Sequence, residues 1–170
     1  TADTVASDGV TSLREAISEA DANPGADTIT LSGATYELSL SCGSDEDANA
    51  GGDLDIGAFE GLVIQGPSSI SKATITLGSG CTDERLLDVV AFAPLTLRNL
   101  ILDGGRAKDA TGPDLDGADG GAVRVRGGSL EAENVVFSDN SAGSGGRAET
   151  TNSKGGDGGA IYAEGALVLT

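Results

Sequence analysis

Residues 94–105, PLTLRNLILDGG, and residues 129–140, SLEAENVVFSDN, write one pattern twice. At an offset of 35 residues, Leu95 meets Leu130, Leu97 meets Ala132, Asn99 meets Asn134, Leu100 meets Val135 and Leu102 meets Phe137. Apolar residues keep the same parity throughout. A step of 33 backwards brings LVIQG (62–66) under LTLRN, a further 33 brings ITLSG (29–33) under LVIQG, and 37 forwards brings ALVLT (166–170) under SLEAE. A second column runs beside the first: Leu54, Leu87, Val123 and Ile161, each followed two residues later by Ile56, Val89, Val125 and Ala163.

Short alternating segments repeating at this interval exclude helical repeats, which need amphipathic stripes of period 3.6. Strands that cannot bury an apolar face alone must stack, each lap covering the one before. The fold class read from this pattern is all-β: a right-handed parallel β-helix of about four to five coils. Composition agrees, with 27 glycines, 3% aromatics and neither Met nor Trp, so that aliphatic side chains on many short strands form the core. The loops 104–120 and 140–158, rich in Gly, Asp, Ala, Ser and Thr, read as turning, solvated segments.

One segment reads as a helix. TSLREAISEADANPG (11–25) has Ser12 and Glu15 at capping-box spacing, Leu13, Ala16, Ile17 and Ala20 on one face, and Asn23-Pro24-Gly25 as a stop. This divides the chain into an N-terminal segment with a capping helix, 1–27, and the coils, 28–170. A helix placed there covers the end of the stack, the alternative being a helix along a side face. The chain contains no methionine and stops at ALVLT, partway through a coil, so it reads as an excised or processed piece whose far end continues or meets a partner, including a second copy.

The net charge of −17, with ten basic residues, argues against nucleic acid and against anionic membranes as partners. No stretch has the length of a membrane span. Cys42 and Cys81 read as a disulfide in an oxidising compartment, or as two buried free thiols; without histidine they make no zinc site.

Chemistry, if present, falls on outward strand positions. Asp55, Asp88 and Arg124 are the catalytic candidates: two carboxylates at rung spacing suit a glycosidase, and a carboxylate beside an arginine imitates an uronate lyase. The alternative is a solvated ladder of weak pairs, Asp88 with Arg124 and Arg98 with Glu133. Asp45, Asp47, Asp53, Asp114, Asp116 and Asp119 lie near glycine turns and are the candidate Ca²⁺ ligands, although neither acidic run has EF-hand spacing. No other cofactor is expected.

SLREAISEADANPGADTITLSGATYELSL, GGDLDIGAFEGLVIQG and ERLLDVVAFAPLTLRNLILDGG resemble the N-terminal region of the large secreted bacterial proteins named for a Cys-Ser-Leu-Arg-Glu-Ala motif. Thr11 stands where that motif has its cysteine. Gly120-Gly121-Ala122-Val123, Phe137-Ser138-Asp139-Asn140 and Gly158-Gly159-Ala160-Ile161 are similar to the GGA and FxxN repeats of polymorphic outer-membrane proteins. These resemblances imply a right-handed parallel β-helix, secreted or on the bacterial cell surface, of the adhesin kind. Gly120, Gly121, Gly158 and Gly159 are read as turn positions, Phe137 and Asn140 as the FxxN pair, and Asn99 and Asn134 as a corner ladder. The expected function is a structural or adhesive module displaying its long loops, with end-to-end stacking into fibres as an extension. The alternative is a polysaccharide-active lyase or glycosidase working on an outward strand face.

Overall fold

The structure, a computed structural model, describes residues 2–5, 9–43, 46–90, 92–146 and 153–170. Helix α1 (Leu13–Ala22) is followed by coils of three short strands each. The first coil holds β1 (Asp27–Thr30), β2 (Thr35–Leu38) and β3 (Leu54–Ile56); the second holds β4 (Leu62–Gln65), β5 (Ala73–Leu77) and β6 (Leu87–Val89). The third holds β7 (Pro94–Arg98), β8 (Leu100–Asp103) and β9 (Val123–Val125); the fourth holds β10 (Ser129–Glu133), β11 (Val136–Ser138) and β12 (Ile161–Ala163), and β13 (Ala166–Leu169) opens a fifth. All pairings between these strands are parallel, in three sheets ordered β1-β4-β7-β10-β13, β2-β5-β8-β11 and β3-β6-β9-β12. The chain is a parallel β-helix of about four turns.

Inward side chains stand in vertical files. Leu62, Leu95, Leu130 and Leu167 are successive register partners, as are Leu54, Leu87, Val123 and Ile161. The buried members of these files form one continuous core with Ile64, Leu97, Ile56, Val89 and Val125. The first strand departs from the expected alignment. Ile29 pairs with Ile64, a step of 35, and Asp27 takes the place opposite Leu62. Parity survives because the slip is two residues: alternation decides which face is inward but leaves register open by an even step.

A third sheet, beyond the two columns read from the sequence, arises at the corner asparagines. Asn99 and Asn134 have φ of 53° and 52°, the left-handed region that asparagine tolerates, and each breaks one apolar run into two strands. Asn134 Nδ2 donates to Asn99 Oδ1 at 2.8 Å, joining the two corners along the stack.

Ser12 caps α1, accepting from the Glu15 N–H at 3.1 Å while Glu15 Oε2 accepts from the Ser12 N–H at 2.7 Å. Leu13, Ile17 and Ala20 enter the core cluster, and the helix packs against β1 and β3, the first strands of their sheets.

The described residues of the long loops are mostly exposed or half-buried, as their composition suggests, yet they are tied into a regular hydrogen-bonded layer. They stack backbone on backbone: Ala107 N–H donates to Ser141 O, Ala110 N–H to Ser144 O and Gly117 N–H to Lys154 O, each at 2.9 Å. Each also doubles back on itself, through Ala118 N–H to Lys108 O at 3.0 Å and Gly156 N–H to Gly143 O at 2.8 Å. A Cβ on Gly143 would lie 2.0 Å from Lys108 O, so only glycine admits this approach. Small residues let these loops satisfy their polar groups without a core.

Candidate functional site

The sheet β3-β6-β9-β12 positions the site. Along β3, β6 and β9 the first and third residues point inward and the middle ones, Asp55, Asp88 and Arg124, point outward in register. The structure thus brings the three catalytic candidates onto adjacent rungs. It does not leave them on a solvated ladder: Asp55 and Asp88 are each 1% exposed, because the segment between β2 and β3 folds over them.

Arg14 anchors this roof. Its guanidinium, fully buried, donates to the carbonyls of Gly51 (3.1 Å), Gly52 (2.7 Å) and Asp53 (2.7 Å), to Asn49 Oδ1 (3.2 Å) and to both oxygens of Asp3 (2.7 and 3.1 Å). Asp3 also accepts from the N–H groups of Ser39 and Leu40, at 2.9 Å each. Burial would raise the Asp3 carboxyl, but Arg14 and these N–H groups outweigh it and hold it below its ordinary value. Glu46 folds the roof tip by accepting from the N–H of Ala48, Ala50 and Gly51 at 2.8 to 2.9 Å. The Cys42–Cys81 disulfide, with Cα atoms 5.3 Å apart, ties the roof to the next coil.

Beneath the roof the charges are unevenly paired. Arg124 grips Asp88 through Nε, at 3.2 and 3.1 Å from the two oxygens, and through Nη2; Arg126 Nη2 adds a bond of 2.9 Å to Asp88 Oδ2 and pairs with Asp47. Asp53 faces Arg85 at 2.8 Å. Asp55 Oδ2 accepts the Asn49 N–H at 3.0 Å, whereas Oδ1 is buried with no hydrogen-bond partner. Burial first, with the charge of Asp55 next, pushes Asp53 up to about 8 despite Arg85. Burial likewise pushes Asp55 up to about 7, with Glu46, Asp88 and Asp47 adding to it against the Asn49 N–H. Glu84, beside them, is raised by burial as well.

The cavity next to Asp88, lined by Asp53, Glu84, Arg85, Lys108 and Arg124 among others, measures about 90 Å³. It suits a few waters or an ion. A glycosidase or lyase needs its carboxylates facing a sugar in a cleft of several hundred Å³, and Asp55 and Asp88 lie beneath the roof.

The candidate metal ligands separate. Asp45 lies outside the described residues. Asp47 joins Asp55 and Asp88 in a set with one carboxylate oxygen from each within 4.8 Å of the others, and Asp53 turns to Arg85 instead. Asp116 and Asp119 accept the N–H of Lys154 (2.7 Å) and Asp157 (2.6 Å) in the next coil, and Asp114 takes a left-handed turn, φ 65°. Among the motif residues, Gly120 and Gly158 share φ of 65°, and a Cβ on Gly121 would lie 2.3 Å from Gly159 O. Phe137 packs on the core, and Asn140 staples the coil below, accepting from Gly105 N–H at 2.8 Å and donating to Leu102 O at 2.9 Å. The surface pair Arg98–Glu133 is present at 2.9 Å.

Arg14 and Arg126 were not legible as site residues. Arg14 carried one signal, its helical place beside Leu13 and three before Ile17, at the edge of the apolar stripe. Arg126 carried none.

No family model, no curated protein and no solved structure matches the chain. No helix among the described residues is long and apolar enough to cross a membrane.

Proposed function

We propose that the chain is a secreted or cell-surface β-helix module with a structural and adhesive role, holding a rigid stack against partners outside the cell. The observation that carries this reading is an aromatic corner. Phe59 and Phe92 are 71% and 77% exposed, and they occupy the same corner on consecutive coils, because the registers on both sides run at the same step (Ile56 with Val89, Leu62 with Leu95). Phe92 leans over Gly127 of the following coil, where a Cβ would lie 3.0 Å from its ring. The chain has three phenylalanines and an aromatic-poor core, yet two of the three face solvent. Aromatic side chains on a rigid scaffold are the usual anchors of binding surfaces.

The likeness of the SLREA, GGA and FxxN segments to secreted and outer-membrane β-helix proteins supports the same reading, and the disulfide suits an oxidising compartment. Lengthwise association of copies through unpaired strand edges is an extension of the same reading.

The test is retention of the purified chain on immobilised extracellular proteins and polysaccharides, compared with the Phe59→Ser/Phe92→Ser variant. Loss of retention at unchanged Tm supports the reading, and equal retention by both overturns the aromatic corner as its basis. Reducing or unsaturated ends released from the polysaccharides, and absent with Asp88→Ala, would replace the adhesive reading with an enzymatic one.

A further inference from the structure

We propose that Asp47, Asp55 and Asp88 form a divalent-cation site of the oxygen-liganded Ca²⁺ type, in which Arg126 holds the place of the ion in its absence. One oxygen from each carboxylate lies within 4.8 Å of the others. Ca²⁺ binds oxygens at about 2.3–2.6 Å, so two ligands on opposite sides of one ion stand about 5 Å apart, and these three oxygens fit within that span. The donors come from the roof, from β3 and from β6, so one ion would bind the cover to two rungs at once.

Acidic side chains in a group do not by themselves make a site. The independent observation is Asp55 Oδ1, which belongs to a residue 1% exposed and has no hydrogen-bond partner. A buried carboxylate oxygen left unsatisfied is costly, and a cation satisfies it. Asp47, its side chain 58% exposed, is the open side through which an ion and its remaining waters enter.

Arg126 is the group that must yield. It pairs with Asp47 and with Asp88 Oδ2, it follows β9, and its side chain is 34% exposed, so its long stem can swing into solvent. Asp88 is not left bare by that movement, since Arg124 keeps its grip on both oxygens. All three donors are hard oxygens, which favours Ca²⁺ over metals preferring nitrogen or sulfur, and an irregular, partly hydrated site disfavours the strict octahedron of Mg²⁺.

The experiment is calorimetric titration of the chelator-stripped chain with Ca²⁺, with Tm measured in parallel. The expected result is one saturable site and a Tm higher by about 5 °C or more at a hundredfold excess over Kd. Arg126→Gln should bind about tenfold more tightly or better, because the competing cation is gone. Asp55→Asn, near-isosteric and free of a buried charge, should fold and lose the binding, while Asp114→Asn should leave it unchanged. No heat and no Tm shift with either the parent chain or Arg126→Gln overturns the proposal. So does full binding by Asp55→Asn, which would place the ion elsewhere.

Discussion

Asp55 and Asp88 lie side by side on β3 and β6, two carboxylates on adjacent rungs and both buried, yet the guanidinium groups of Arg124 and Arg126 pair with Asp88, while Asp55 rests one oxygen on a backbone N–H. Outward positions on a β-helix are ordinarily the solvated ones. Here a disulfide, a buried arginine and a folded loop convert an outer face into a second interior.

That conversion sets the pH dependence. Asp53 at about 8 and Asp55 at about 7 stand above the value of roughly 4 that an unfolded aspartate has. The native state therefore binds more protons than the unfolded one across the window from about pH 4 to about pH 8, and stability falls as pH rises through it. Thermal melts with a chelator present should give a higher Tm near pH 5.5 than near pH 8.5, and Asp55→Asn should flatten the slope. Asp3 acts in the opposite sense: its contribution is lost only as pH falls below about 4. A Tm that climbs with pH across the neutral range would contradict this account.

Arg14 joins α1, the N-terminal segment and the roof through acceptors on five residues. Substitution by methionine, which keeps most of the stem, should cost on the order of 3–5 kcal/mol, because Asp3 and three carbonyls lose their buried donor together. Lysine should rescue little, since a single ammonium cannot reach the fork of acceptors. Urea unfolding gives the number, and a loss below about 1 kcal/mol would show that the hub is dispensable.

The corner ladder separates two effects. Asn134→Ala removes the bond to Asn99, worth about 1 kcal/mol, and puts alanine, which lacks asparagine's tolerance of the left-handed region, there at a further cost of about 1 kcal/mol. Asn134→Gly removes only the bond. Alanine should thus be the more damaging substitution, reversing the usual order within strands, and chemical denaturation of the two variants compares them directly.

Reduction of the disulfide should lower stability by about 4 kcal/mol in the chain-entropy picture, for a sequence separation of 39. The loss should concentrate in the roof, so amide exchange of residues 46–53 should accelerate more than that of β7 or β10. Uniform acceleration throughout would mean that the bridge acts on the whole stack instead.

The repeat, the inward parity of the strands in the two columns and the capped helix were legible in the sequence because each is a local pattern: alternation of period two, apolar spacing of period 3.6, and a Ser–Glu pair three residues apart. Periodicity even placed Leu95 over Leu130 and Leu87 over Val123. What tertiary structure alone decided depends on contacts between segments far apart in the chain. The first strand's register shifted by two because parity cannot distinguish even steps. The described parts of the long loops, 104–120, 140–146 and 153–158, became a hydrogen-bonded double layer because glycines in one could meet carbonyls in the other. Asp55 and Asp88 became buried because Arg14, from the helix, pulled a loop across them; a strand's own alternation says which side chains point outward, but whether water or protein awaits them there is settled by what folds over that face.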